Sequence, residues 1–138
     1  MITLYQPWAS WIMWGWKKIE TRKHQRFKCL AGRRIAIHAA LAFQVEAYYD
    51  AHKYLTDEQL TTSKRYTHPR GAILGLATVR EFRPLNREDS RAALIDCYPE
   101  YAGQKYGLVL GNIDYWTLPI AAKGGRGIRY ISLAEGGA

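Results

Sequence analysis

The spacing of apolar residues changes several times along the chain, and each change predicts an element. From Pro7 to Trp14 the residues are almost all apolar and the run stops at Gly15. Proline suits the first helical position and glycine ends helices, so a short helix is predicted at about 7–14. Lys17 to Thr21 alternates and reads as a strand, and Arg34-Ile-Ala-Ile-His-Ala-Ala40 reads as a buried one. Phe43, Ala47, Tyr48, Ala51 and Leu55 recur at helical spacing, and Thr56-Asp-Glu-Gln59 is a capping box that opens a second helix to about Lys64. Together they form a helical pair inserted between strands.

Gly71 to Arg80 predicts a long strand in which Gly75 marks a bulge or bend. Asn86 caps a predicted helix over about Arg87 to Leu94, with Glu88 and Asp89 favourably placed in its first turn. Strands follow at Tyr106 to Ile113 and Ile128 to Ser132, with Tyr115 to Ile120 paired between them. The order α-β-β-α-α-β-α-β-β-β lacks the regular βαβ alternation of a parallel sheet. An α+β fold is expected: a small mixed β-barrel with helices packed outside.

At 138 residues the chain is expected to form one domain over 1–138, and its 48% hydrophobic content supplies a core for it. Cys29 and Cys97 form neither a C-x-x-C pair nor a His-rich cluster, so neither a disulfide framework nor a metal site is indicated. His24, His52 and His68 are likewise too scattered for metal binding. The opening Met-Ile-Thr-Leu-Tyr-Gln-Pro lacks a basic, then apolar, export signal, and no membrane-spanning run follows; a cytoplasmic location is expected.

Charge sharpens this picture. The net charge is +8, and residues 1–34 account for nearly all of it, with eight cations from Lys17 to Arg34 against Glu20 alone. Localised positive charge attracts polyanions, which makes nucleic acid the leading partner class. A solvated basic face, or docking on an acidic protein, explains the same charge. Within Gly15-Trp-Lys17-Lys18-Ile-Glu20-Thr-Arg22, strand alternation places Lys18, Glu20 and Arg22 on one side, and Lys17 joins them only if the chain turns near Gly15. Glu20 is then a lone acid among cations, suited to accept hydrogen bonds from the N–H groups of a base; an ordinary ion-pair ladder is the other reading. His38 interrupts an apolar strand and is either a hydrogen-bonded core residue or a ligand contact. Lys123-Gly-Gly-Arg-Gly127 is a flexible basic loop able to approach phosphate, although it lacks the P-loop pattern; no cofactor is expected.

Gly15-x-Lys17-x-x-Glu20-x-Arg22 resembles the G-x-K-x-x-E-x-R signature of the ASCH domain, a member of the PUA-like superfamily of small β-barrels. The likeness extends through Tyr5-Gln-Pro-Trp8, Ile35-Ala-Ile-His38, Gly71 to Val79, Gly107-Leu-Val-Leu-Gly-Asn112 and Pro119-Ile-Ala-Ala-Lys-Gly-Gly125. It implies a PUA-like barrel with a cleft lined by Lys17, Glu20 and Arg22, a wall formed by Gln6, Pro7 and Trp8, and binding of RNA or a modified nucleoside or nucleotide. On that expectation Arg22 or Lys17 neutralises phosphate, Glu20 reads a base edge and Trp8 offers a stacking face. Some small bacterial relatives hydrolyse the amide of N4-acetylcytidine, and where they place a threonine nucleophile this chain has Glu20. The alternative function is therefore metal-independent hydrolysis of a modified nucleoside or RNA, with Glu20 as general base and Lys17 stabilising an oxyanion.

Overall fold

A computed structural model describes residues 1–132. In chain order it contains β1 (Ile2–Gln6), α1 (Trp8–Met13), β2 (Ile19–Arg22), β3 (Arg34–Phe43), α2 (Glu46–Ala51), α3 (Asp57–Arg65), β4 (Ala72–Pro84), α4 (Ser90–Ala93), α5 (Pro99–Ala102) and β5 (Tyr106–Ala121), with 3-10 turns at Lys28–Leu30 and Arg87–Asp89. The strands form one sheet in the order β1-β3-β4-β5-β2, in which β1 runs parallel to β3 and the other pairs are antiparallel. The α+β class expected from the sequence is present. Closure into a barrel is not: β1 and β2 are the two ends of the sheet among the described residues.

Several elements depart from the sequence expectation, among them the single turn of α5, for which no helix is predicted. β1 was not anticipated, because five residues ahead of Pro7 give too short a run for periodicity, although Ile2, Leu4 and Gln6 turn inward in strict alternation. The strands expected at 106–113 and 115–120 are one strand, in which Asn112 adopts φ 48° and the register slips against β4; the irregularity bends the strand without ending it. The strand expected at 128–132 does not form, and Arg129 exchanges only one pair of backbone bonds with Met1, at 2.7 and 3.0 Å. The helix expected from Phe43 starts at Glu46, because Phe43 remains in β3 and pairs with Gln6.

Other signals map directly onto structure. Thr56 and Gln59 form the expected reciprocal capping box of α3, and Asn86 and Asp89 form another at the turn leading into α4. Register slips where Gly75 of β4 meets β5, and a Cβ on Gly75 would collide with the backbone oxygen of Asp114, so only glycine permits that approach.

The main core lies between α1 and the inner face of the sheet, where Ile2, Ile12, Ile37, Leu74, Val79 and Leu108 are inaccessible to solvent. Each such side chain contributes about 1.5–3 kcal/mol by burial. Trp11 faces away from that core and packs with Ala47, Ala51 and Leu55 under the inserted helices. There its Nε1 donates to Ser63 Oγ at 2.9 Å, and Ser63 Oγ also meets Tyr48 OH at 3.0 Å. His68 completes this network, with Nδ1 2.8 Å from Ser10 Oγ and Nε2 2.8 Å from the Ser63 carbonyl. The inserted pair is thus fixed to α1 by a saturated set of polar contacts.

Candidate functional site

The two end strands of the sheet face a common cleft of about 1600 Å³, with Thr3, Leu4 and Tyr5 of β1 on one side and Glu20, Thr21 and Arg22 of β2 on the other. Residues 122–128 cross it after β5 ends. The cleft therefore occupies the seam at which the sheet fails to close.

Lys17 reaches the cleft because of the turn ahead of β2. Gly15 adopts φ 78°, and the backbone N–H groups of Trp16 and Lys17 both donate to the Trp11 carbonyl, at 2.9 and 3.0 Å. Lys17 thus precedes the strand, and alternation does not govern its direction. It turns inward while Lys18 stays exposed, the reverse of the expected facing for Lys18. The Lys17 side chain is 2% exposed; its Nζ donates to the Ala93 carbonyl, lies 3.8 Å from Glu20 Oε1 and stands 4.6 Å from the Trp8 ring centre. Burial pushes the Lys17 ammonium down to about 8, with Glu20 opposing the shift.

Glu20, 7% exposed, is bonded on its other oxygen by Arg22 Nη1, which also donates to the Thr21 carbonyl at 2.9 Å. The Arg22 guanidinium lies 5.0 Å from the Phe27 ring centre. One carboxyl group is therefore held between two cations, each backed by an aromatic ring. Such an arrangement presents a fixed acceptor with neighbouring positive charge, suited to a ligand with N–H donors and an anionic group.

Trp8 forms part of the same wall, with Nε1 donating to Gln44 Oε1 at 2.9 Å. Gln6 and Pro7 lie behind that wall and do not line the cleft. The Gln6 amide is spent internally: its Nε2 donates to the Pro69 carbonyl at 2.6 Å and its Oε1 accepts from the Ser10 amide at 3.0 Å. His38 lies on the floor at 2% exposure, and Lys123 lines the crossing loop. Of the basic stretch, only Lys17, Arg22 and Arg26 reach the cleft, joined by Lys123 and Arg126; the lining carboxylates are Glu20 and Asp50. Arg34 points elsewhere, bonding Thr78 Oγ1 and the Asn112 carbonyl at 2.9 and 2.8 Å. Thr3, Phe27 and Gln44 were not singled out from the sequence, where nothing marks a lone threonine, phenylalanine or glutamine as part of a site. Among the described residues no three His, Cys, Asp or Glu side chains are grouped to hold a metal, and no helix is long and apolar enough to cross a membrane.

A family model described as ASCH domain matches residues 2–115. Among solved structures, the chain is similar to a crystal structure of ASCH from Zymomonas mobilis, with 17% identity and a TM-score of 0.52, covering 87% of this chain and 71% of that one. Two mutants of the Zymomonas mobilis protein are similar at 18% identity and a TM-score of 0.53. Its serine-to-alanine mutant covers 87% of this chain and 71% of its own, and its tyrosine-to-phenylalanine mutant 87% and 73%. At these identities the likeness speaks for the fold alone. No protein of curated function matches the sequence.

Proposed function

Because the chain belongs to the ASCH domain family, we propose that it is a cytoplasmic module that binds RNA or a modified nucleotide in the cleft between β1 and β2, the open seam of a PUA-like barrel. The observation that carries this reading is the Lys17–Glu20–Arg22 cluster, desolvated yet opening onto a cleft where five cations face two carboxylates. Glu20 takes the N–H edge of a base, Trp8 supplies a ring face, and Arg26, Lys123 and Arg126 take the phosphates. The test is titration of a fluorescent single-stranded RNA at several salt concentrations. Three phosphate-contacting cations give a log–log salt slope of about −2, and Glu20→Gln weakens binding about tenfold. Absence of salt-dependent binding overturns the reading.

A second reading is favoured by the depressed Lys17 ammonium. An amine that titrates near neutral pH beside a carboxylate is suited to general acid–base work, so the alternative is hydrolysis of a modified nucleoside or RNA by Lys17 and Glu20. Release of acetate from N4-acetylcytidine, or RNA cleavage, that disappears in Glu20→Gln establishes it over binding alone.

A further inference from the structure

The floor of the cleft holds an unexplained polar atom. Among the described residues, His38 Nδ1 is the buried side-chain nitrogen or oxygen with no hydrogen-bond partner. The other ring nitrogen fixes the tautomer: Nε2 lies 2.6 Å from the Ala122 carbonyl, which accepts only, so Nε2 carries a proton and in the neutral ring Nδ1 presents a bare lone pair. A buried acceptor of this kind calls for a donor.

The crossing loop supplies none. Gly124 lies directly over the ring, and a Cβ placed there would stand 2.6 Å from Nδ1 and 2.7 Å from Thr3 Oγ1. The next amide, that of Gly125, is directed instead to Thr3 Oγ1 at 3.3 Å. A side chain at 124 would collide with His38 and Thr3, so glycine is the residue that lets the loop pass this close, and the glycines at 124, 125 and 127 bring no side-chain donor to Nδ1. The cations Lys123 and Arg126 flank this point on the same loop.

Resting on the nucleotide-binding reading, we infer that His38 Nδ1 accepts a hydrogen bond from a ribose 2′-hydroxyl and thereby selects RNA over DNA. Phosphate is acceptor-only and cannot satisfy the atom. Base N–H groups are matched by Glu20 on the β2 wall, while phosphates are matched by Lys123 and Arg126. The sugar joins base to phosphate, and its 2′-hydroxyl is the donor that distinguishes the two nucleic acids.

The experiment compares a short oligouridylate RNA with its deoxy and 2′-O-methyl counterparts by fluorescence anisotropy on the full chain. Native protein is expected to prefer the RNA by about tenfold over both, and the preference collapses in His38→Phe. Because His38→Phe alters the core, the nitrogen resonances of ring-labelled histidine in native protein give an independent readout: the Nδ1 signal moves on adding RNA and not DNA. Equal affinities in native protein, a preference retained by folded His38→Phe, or an unmoved Nδ1 signal overturns the inference while leaving the nucleotide-binding reading intact. Failure of all three oligomers to bind overturns that reading and this inference together.

Discussion

Two polar clusters take members from the stretch running from α1 to β2, and they are built on opposite principles. The cluster of Trp11, Tyr48, Ser63, Ser10 and His68 is uncharged, and its ring and hydroxyl groups are matched by partners at 2.8–3.2 Å. It seals the inserted helices against α1. The cluster of Lys17, Glu20 and Arg22 is charged and opens onto a cleft, and its lysine is held where burial disfavours the ammonium. Saturated neutral networks stabilise a fold, whereas unbalanced charge at a cleft is maintained at a cost and is the better indicator of a site. Burial alone does not tell them apart; accessibility and charge balance do.

The sharpest way to break this distinction is to remove Trp11. It is inaccessible to solvent and holds the sealed network by its Nε1, so Trp11→Ala is expected to lose about 3–5 kcal/mol in urea unfolding. A loss below ~1 kcal/mol contradicts the assignment of that cluster to stability.

Lys17→Met tests the charged cluster. The folded-state value near 8 lies below the ordinary lysine value of 10.5, so the ammonium is disfavoured in the folded protein relative to the unfolded chain. The penalty is present in full below pH 8, and stability rises as pH increases from 8 to 10.5, where the unfolded chain binds more protons, by about 3 kcal/mol in total. Methionine abolishes that rise and loses RNA affinity, and it takes from the Ala93 carbonyl and Glu20 their buried partner. Parallel pH–stability curves for native and variant protein decide the point, because other titrating groups cancel in the difference.

Ser63→Ala has the next largest effect. It deprives Trp11 Nε1 and Tyr48 OH of their shared partner and is expected to cost about 1–3 kcal/mol with RNA affinity unchanged. A change in affinity at constant stability would join the two clusters functionally and dissolve the contrast.

How far these clusters were legible in the sequence follows from their ranges of contact. Local signals were readable: the capping box at Thr56–Gln59, the irregularity at Gly75 and the family signature from Gly15 to Arg22 depend on residues close in the chain. Long-range partners were not. The sealed network joins Ser10 to His68 across fifty-eight positions, and no spacing announces it. The inward turn of Lys17 depends on Gly15 and on the Trp11 carbonyl, so alternation, which assigned Lys18 to the Glu20 face, applied to residues not yet in the strand. Gln6 stands in the family-like Tyr5-Gln-Pro-Trp8 segment, and only its contacts with Ser10 and Pro69 show that its amide is fully engaged inside the fold. The basic stretch marked the right part of the chain but not the direction of each side chain, since three of its eight cations reach the cleft.

The smallest effect expected is the acid sensitivity of His68. Burial lowers its value below the ordinary histidine range, opposed by its bond to the Ser63 carbonyl. The folded state therefore favours neutral imidazole. Its contribution is complete above pH 6.5 and is lost as pH falls from there through the folded-state value, because the unfolded chain takes up its proton first. Ser10 Oγ and the Ser63 carbonyl flank the ring, with Tyr66, Trp14 and Phe43 against its faces, and none is a carboxylate able to stabilise the cation. Thermal unfolding midpoints of His68→Gln should fall less steeply between neutral and mildly acidic pH than those of the native protein, by a few degrees. Identical slopes would mean that His68 is not held neutral, and the neutrality that separates the sealed cluster from the open one would then be lost.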